Sequence, residues 1–225
     1  KKNASGLLAR MSEEYFGVSL HVVPTQNGVF MAQLSLNDVI RYSPFTARSL
    51  QAMFTGFSPE KDLSLYEEVL AETFSREAMQ AEIGACSTSQ QLRVTLREMR
   101  RRLIVNIIGR NALGRIDYFE VVRTMSDFAE LAVTSTVSLN ARELAQRCGV
   151  PMGYSGQPQD LLVVGMGKLG GRELNVSSDI DLIFLYDEDG ETQATPEFPN
   201  ARRTLTVQEF YERLARRVIP ALNDI

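Results

Sequence analysis

One histidine, two cysteines and no long apolar run: each scarcity removes a common chemistry from this sequence. His21 stands alone, so histidine-based general-base or triad catalysis is not expected. Cys86 and Cys148 lack zinc-ligand spacing and make no disulfide framework, which fits a reducing, cytoplasmic setting. No stretch approaches eighteen apolar residues, and the start lacks the charged-then-apolar order of a signal peptide, so no membrane association is expected. An excess of positive charge is missing too. Lys and Arg number 24 against 28 Asp and Glu, for a net charge of −4 and a pI near 5.2, which disfavours nonspecific nucleic-acid binding. There is no internal repeat and no low-complexity tract. The first residue is Lys1 rather than Met, as expected of a piece cut from something longer.

What remains is the composition of a globular protein, 44% hydrophobic and 23% charged over 225 residues, enough for one or two cores. Residues 1 to about 85 read as helical segments broken by turn chemistry at Pro24 to Gly28, Ser43-Pro44 and Gly56 to Pro59. Apolar residues recur at helical spacing over Ser64 to Ile83, and again over Thr88 to Ala112 with Leu92, Leu96, Met99, Leu103 and Ile107 on one stripe. Gly114 interrupts before a long helix from about Asp117 to Gln146. Gly149, Pro151, Gly153, Gly156 and Pro158 read as a linker, which places a domain boundary near residue 155. Beyond it the pattern predicts a strand at 161–165, a glycine turn, a strand at 180–186, an acidic loop and a final helix over 205–222. The expected class is α+β. A helical domain (1–155) precedes a small α/β module (156–225) with a short mixed sheet.

The segment LLVVGMGKLGGRELNVSSDIDLIFLY carries the chemistry. Strand alternation sends Asp179 and Asp181 to one face, with α-carbons about 7 Å apart. Two carboxylates so placed repel unless a cation sits between them, and Mg²⁺ on a nucleotide phosphate fits. Gly170 and Gly171 allow close backbone approach to phosphate oxygens and present N–H donors. The combination is that of nucleotidyl transfer. Ser177 and Ser178 are either turn residues or phosphate contacts, and Lys168 is either an exposed charge or an extra cation for phosphate. Gly165 to Gly170 also matches GxGxxG, but a dinucleotide fold needs a crossover helix before the next strand, and only Gly171 to Ser178 intervenes. Lys168 followed by Leu169 fails the P-loop pattern. Arg97, Arg100, Arg101 and Arg102 form a basic band that either is solvated or faces an anionic substrate or the acidic second module. The acidic run Asp187 to Glu191 reads as a solvated hairpin or connector.

GMGKLGGRELNVSSDIDLIF (Gly165 to Phe184) resembles the signature of the bifunctional glutamine synthetase adenylyltransferase/adenylyl-removing family, within the polymerase-beta-like nucleotidyltransferase superfamily. LREMRRRLIVNIIGRNALG (Leu96 to Gly114) is similar to that family's arginine-rich helix. Val207 to Leu222 is similar to its helix after the paired aspartates, and Leu36 to Met53 resembles its N-terminal segment. Members carry two catalytic halves, one removing AMP from a tyrosine of glutamine synthetase by phosphorolysis to ADP, the other adding AMP from ATP. Asn175, Val176 and Ile180 match the removing half, which reads GGxELNxSSDIDL against GGxELxYSSDLDL for the adding half.

The resemblance implies Mg²⁺ on Asp179 and Asp181, phosphate or nucleotide contacts from Gly170, Gly171, Ser178 and Lys168, and glutamine synthetase as substrate. It implies a PII-type signal protein and glutamine as effectors, with phosphate and ADP, or ATP, as small-molecule partners. The adding half and a non-catalytic partner-binding module are the alternatives. The family also has a third Asp in a Val-Asp-x-Arg-Leu-Arg-Pro strand, which nothing here matches. The expectation is therefore two of three metal ligands, and little or no activity for these 225 residues alone.

Overall fold

The computed structural model describes residues 21–24 and 30–225. The helical character expected for residues 1–20 and the turn expected at 25–28 lie outside the described residues. The chain divides into two compact units, Lys1–Glu72 with Ile104–Asp117, and Thr73–Leu103 with Tyr118–Ile225. Among the described residues no helix is long and apolar enough to cross a membrane.

In the first unit, β1 (His21–Pro24) pairs antiparallel with β2 (Phe30–Gln33), where helix was expected. Helix α1 (Leu36–Tyr42) opens with a reciprocal cap: Ser35 Oγ accepts from the Asp38 N–H at 3.2 Å, and the Asp38 carboxylate accepts from the Ser35 N–H at 2.8 Å. Helix α2 (Pro44–Met53) follows at once, with Ser43 as cap and Pro44 in its first turn. Helix α3 is Leu63–Ala71. Val39, Ile40, Leu50, Tyr66, Val69, Leu70 and Val105 are the buried heart of this unit.

The single helix expected over Ser64 to Ile83 is two, α3 and α4 (Arg76–Gly84). Glu72 turns to extended backbone, and Ser75 restarts the helix by accepting from the Ala78 N–H at 3.1 Å. Periodicity missed the break because apolar spacing survives it. What makes the break tolerable is Asn106, only 1% exposed, whose amide reaches the carbonyls of Val69 (2.8 Å), Leu70 (3.2 Å) and Glu72 (3.1 Å). The end of α3 leaves these carbonyls short of helical partners, although that of Val69 also accepts from the Glu72 N–H at 3.3 Å.

Helix α5 (Ser89–Ala112) contributes its residues to 103 to the second unit and the remainder to the first. The second unit continues with α6 (Tyr118–Cys148), β3 (Val150–Gly153), β4 (Leu162–Gly165), the single turn α7 (Gly167–Gly170), β5 (Leu182–Leu185), β6 (Gly190–Gln193) and α8 (Val207–Asn223). The α+β class is borne out. The expected short mixed sheet is replaced by two-stranded antiparallel ladders, β3 with β6 and β4 with β5. A parallel neighbour needs a helical crossover, and the β4–β5 connection holds only the four-residue α7. The segment expected as a linker contains β3, which pairs Val150 with Gln193 and Gly153 with Gly190. Residue 155 falls inside the second unit. The acidic run is tied down as well, with the Glu188 carboxylate accepting from Ser155 N (2.7 Å) and Oγ (2.6 Å).

Helix α8 opens with a Thr206/Glu209 capping box and buries Val207, Phe210, Tyr211, Leu214 and Val218, a stripe at three- and four-residue steps. That stripe meets Leu144 and Cys148 of α6, while Phe184 and Tyr186 lie against the same cluster. Each such side chain contributes roughly 1.5–3 kcal/mol of apolar burial. Tyr211 Oη donates to the Gln159 carbonyl at 2.7 Å, and burial pushes its proton affinity up so that it stays a phenol.

Behind α7 the chain is fastened to α6. Arg172 is the one non-glycine residue with positive φ (56°) among the described residues. Its guanidinium bridges Asp127, at 2.7 Å, and Glu130, one helical turn apart on α6. Arg76 reaches the same two carboxylates, each at 2.7 Å. For Arg172 the Asp127 bond, then Glu130, holds the guanidinium more firmly protonated than usual; for Arg76 Glu130 leads. Two residues on, Leu174 is buried and its N–H donates to Ser126 Oγ at 3.3 Å.

Asn106→Leu should lower unfolding free energy by about 2–4 kcal/mol, because it strands buried carbonyls. Chemical denaturation measures this, and a change within error would refute the role given to Asn106. Asp127→Asn should lower stability by about 1–2 kcal/mol, given that both arginines are largely exposed. The loss should shrink in high salt, as followed by thermal melts.

Candidate active site

Strand β4 ends at Gly165, and its ladder with β5 continues one step further, the Met166 N–H donating to the Asp181 carbonyl at 2.9 Å. Gly167 then adopts φ +54°, and the chain winds the one turn of α7. A Cβ on Gly170 would lie 2.5 Å from the Gly165 carbonyl oxygen, so this turn closes only with glycine there. Leu169 is buried and plugs the turn, which leaves Lys168, Gly170 and Gly171 exposed. Lys168 Nζ stands 3.4 Å from Ser178 Oγ.

Ser178 belongs to a turn built on Asn175. The Asn175 Oδ1 accepts from Ser177 N (3.0 Å), Ser177 Oγ (3.1 Å) and Ser178 Oγ (2.9 Å), and the Ser178 N–H donates to the Asn175 carbonyl at 3.2 Å. The two serines therefore set the entry angle of β5. Ser178 does so while lining the cleft beside Asp179.

From Ser178 to Tyr186 exposure alternates strictly. Asp179, Asp181, Ile183 and Leu185 are exposed, whereas Ser178, Ile180, Leu182, Phe184 and Tyr186 are half-buried. The period of two puts both carboxylates on the solvent side, and Phe184 and Tyr186 carry the opposite side onto the α6–α8 core. Asp179 lines a cleft of about 360 Å³ together with Ser178, Ile180, Arg100 and Leu222, with Phe128 among its apolar walls. Asp181 is not part of that lining; its backbone is held at the base of the glycine turn. The predicted residues thus form one neighbourhood, in which Lys168 touches Ser178, Ser178 and Asp179 share the cleft, and Asp181 backs the glycines.

The donor set suits a hard divalent cation: two exposed carboxylates in the extended stretch just before β5, with no thiol or imidazole. Among the described residues no group of three or more His, Cys, Asp or Glu side chains is placed to hold a metal. Two carboxylates leave most of an octahedral shell to phosphate oxygens, water or a further carboxylate. Mg²⁺ fits that arrangement, since it keeps waters and usually takes only one or two carboxylates from protein.

The arginine band splits by role. Arg102 makes a bidentate pair with Glu82, at 3.0 and 2.8 Å. Arg97 donates to the Asp224 carbonyl at 2.9 Å, and Arg100 faces the cleft that holds Asp179. Arg172, Asp127 and Glu130 were not identified from sequence. The i, i+3 spacing of the two acids on a helix was visible, but nothing local says that a residue 42 positions later occupies them.

A family model described as glutamate-ammonia ligase adenylyltransferase matches residues 34–225. A bifunctional glutamine synthetase adenylyltransferase/adenylyl-removing enzyme of Ralstonia nicotianae is 46% identical over 145 residues, 64% of this chain and 15% of that protein. The protein of the same description from Burkholderia mallei is 46% identical over 144 residues, again 64% and 15%. That of Neisseria meningitidis serogroup B is 39% identical over 197 residues, 87% of this chain and 21% of the relative. The chain thus spans about one fifth or less of the curated relatives it matches. With the signature, the glycine turn and the family match all falling on the same residues, this chain belongs to the glutamate-ammonia ligase adenylyltransferase family.

Proposed function

We propose that this chain carries the signature part of the half that removes AMP from an adenylylated tyrosine of glutamine synthetase by phosphorolysis, giving ADP. The observation that carries the reading is the exposed pair Asp179 and Asp181 just before β5, beside the glycine turn. Support for the removing direction comes from Asn175, Val176 and Ile180, and the relatives' names include both directions. A PII-type signal protein and glutamine are the proposed effectors, and the cytoplasm the proposed compartment.

In this reading inorganic phosphate forms the new P–O bond to the AMP phosphorus while the bond to the tyrosine oxygen breaks in line, and the tyrosine recovers its proton. Asp179 and Asp181 would hold Mg²⁺, which when bound neutralises charge on the attacking and leaving oxygens. Gly170 and Gly171 let the backbone approach phosphate oxygens closely, while their own N–H groups close the turn on the Met166 and Gly167 carbonyls, at 3.3 and 3.0 Å. Lys168, steered by Ser178, adds a cation on the same side. Arg100 supplies positive potential to the cleft beside Asp179. Placement and electrostatics do most of this work, because transfer at phosphorus needs little covalent help.

The test incubates adenylylated glutamine synthetase with phosphate, Mg²⁺ and the full-length protein and follows ADP. ADP formation is expected; ATP consumption with AMP attachment would assign the opposite half, and partner binding without either product would assign a non-catalytic module. In the same protein Asp181→Asn should reduce ADP formation by about 10²–10³-fold, the scale of losing a group that stabilises transition-state charge. Near-normal turnover in that variant would overturn the role of the pair. Gly170→Ala should raise the KM for phosphate by roughly tenfold or more, because a Cβ there displaces the turn that brings the backbone and Lys168 to the phosphate.

A further inference from the structure

Arginine is gathered at a second place, away from the signature. Arg147 at the end of α6, Arg203 in the connection before α8, and Arg213, Arg216 and Arg217 on α8 surround a concavity of about 330 Å³. Its remaining lining is Leu144 and Cys148, both buried, so the floor is apolar and no acidic side chain is present. The lining shares no residue with the cleft that holds Asp179.

Several arginines elsewhere in the second unit are matched. Arg76 and Arg172 share Asp127 and Glu130, Arg93 meets Asp224, and Arg102 meets Glu82. Around this concavity none of the five guanidinium groups has an ion-pair or hydrogen-bond partner among the described residues. The carbonyl of Arg147, at the negative end of α6, already accepts from the Arg202 and Arg203 N–H groups, at 3.1 and 3.3 Å. Helix-end charge therefore offsets only a small part of the positive charge collected there. In a chain of net charge −4, five uncompensated guanidiniums around one hollow repel one another until an anion enters.

We infer that this pocket binds the phosphate groups of a small anion carrying two or more of them, at a site separate from the nucleotidyl-transfer centre. The guanidinium fork matches phosphate oxygens in bidentate geometry and stays charged at any physiological pH. All five cations are arginine and none is lysine, the composition that favours geometric recognition over a point charge. The volume admits a pyrophosphate group with room to spare, and the Leu144 and Cys148 floor offers an apolar seat for a nucleobase. Free pyrophosphate and a nucleoside polyphosphate present the same chemistry to the rim.

The experiment titrates the full-length protein with pyrophosphate and, separately, with ATP, by calorimetry in EDTA so that no divalent ion supports the Asp179 side. Arg203 and Arg216 are both exposed, so Arg203→Gln/Arg216→Gln should keep the wild-type circular dichroism and melting temperature. Binding of pyrophosphate is expected to weaken at least tenfold in that double variant and with rising salt, and to persist in Lys168→Ala. Tighter binding of ATP through the same arginines identifies a nucleotide as the ligand, and equal binding identifies the free polyphosphate. Unchanged pyrophosphate affinity in the folded double variant overturns the inference. So does binding of poly-glutamate but of neither phosphate compound, since the pocket would then serve an acidic protein.

Discussion

Antiparallel pairing of β4 with β5 brings a glycine turn at the end of one strand to the carboxylates at the start of the other, and the rest of the candidate site is built around that meeting. The Met166 N–H to Asp181 carbonyl bond extends the ladder past its last formal pair, so Asp181 is positioned by backbone. A two-stranded ladder is weak by itself. Here Phe184 and Tyr186 are seated on the α6–α8 core, so the face bearing Asp179 and Asp181 has to be the open one. A slip of one residue would bury the carboxylates and expose the aromatics, which is a strong penalty on the wrong register.

The turn itself is held from behind. Arg172 in a left-handed conformation, the buried Leu174 and the Ser126 hydrogen bond attach the stretch after α7 to the long helix α6. Arg76 shares the two carboxylates, so α4 and the glycine turn depend on the same pair of acids. The attachment sets a long helix beneath the turn, and Leu174 serves twice, as an anchor and as a wall of the cleft that holds Asp179.

Much of this was legible locally. The period-two alternation over 179–186, the tight turn around Gly170 and the amphipathic stripes of α5 and α8 are properties of short windows, where side-chain direction follows from backbone period. Less was legible where distant groups decide. The break between α3 and α4 depends on Asn106, some 34 residues onward, and spacing within 64–83 is the same with or without it. Gly149 to Pro158 looked like a linker because Gly and Pro break local structure, yet β3 forms there because β6 pairs with it. Nothing local marks Arg172, whose role depends on Asp127 and Glu130 arriving against it.

The amino-acid order alone settled that a glycine corner is followed by two acids at alternate positions ahead of an apolar strand, and which family signature these residues spell. These features depend on covalent geometry and on neighbours a few residues apart, which any local window contains. Tertiary structure decided which side of β5 faces solvent, that Ser178 is both turn former and cleft wall, that Arg100 shares a cleft with Asp179, and that five arginines from α6, α8 and the connection between β6 and α8 collect around one hollow. Those outcomes come from burial and charge pairing between segments tens of residues apart, and no period or motif in the chain encodes which distant partner arrives.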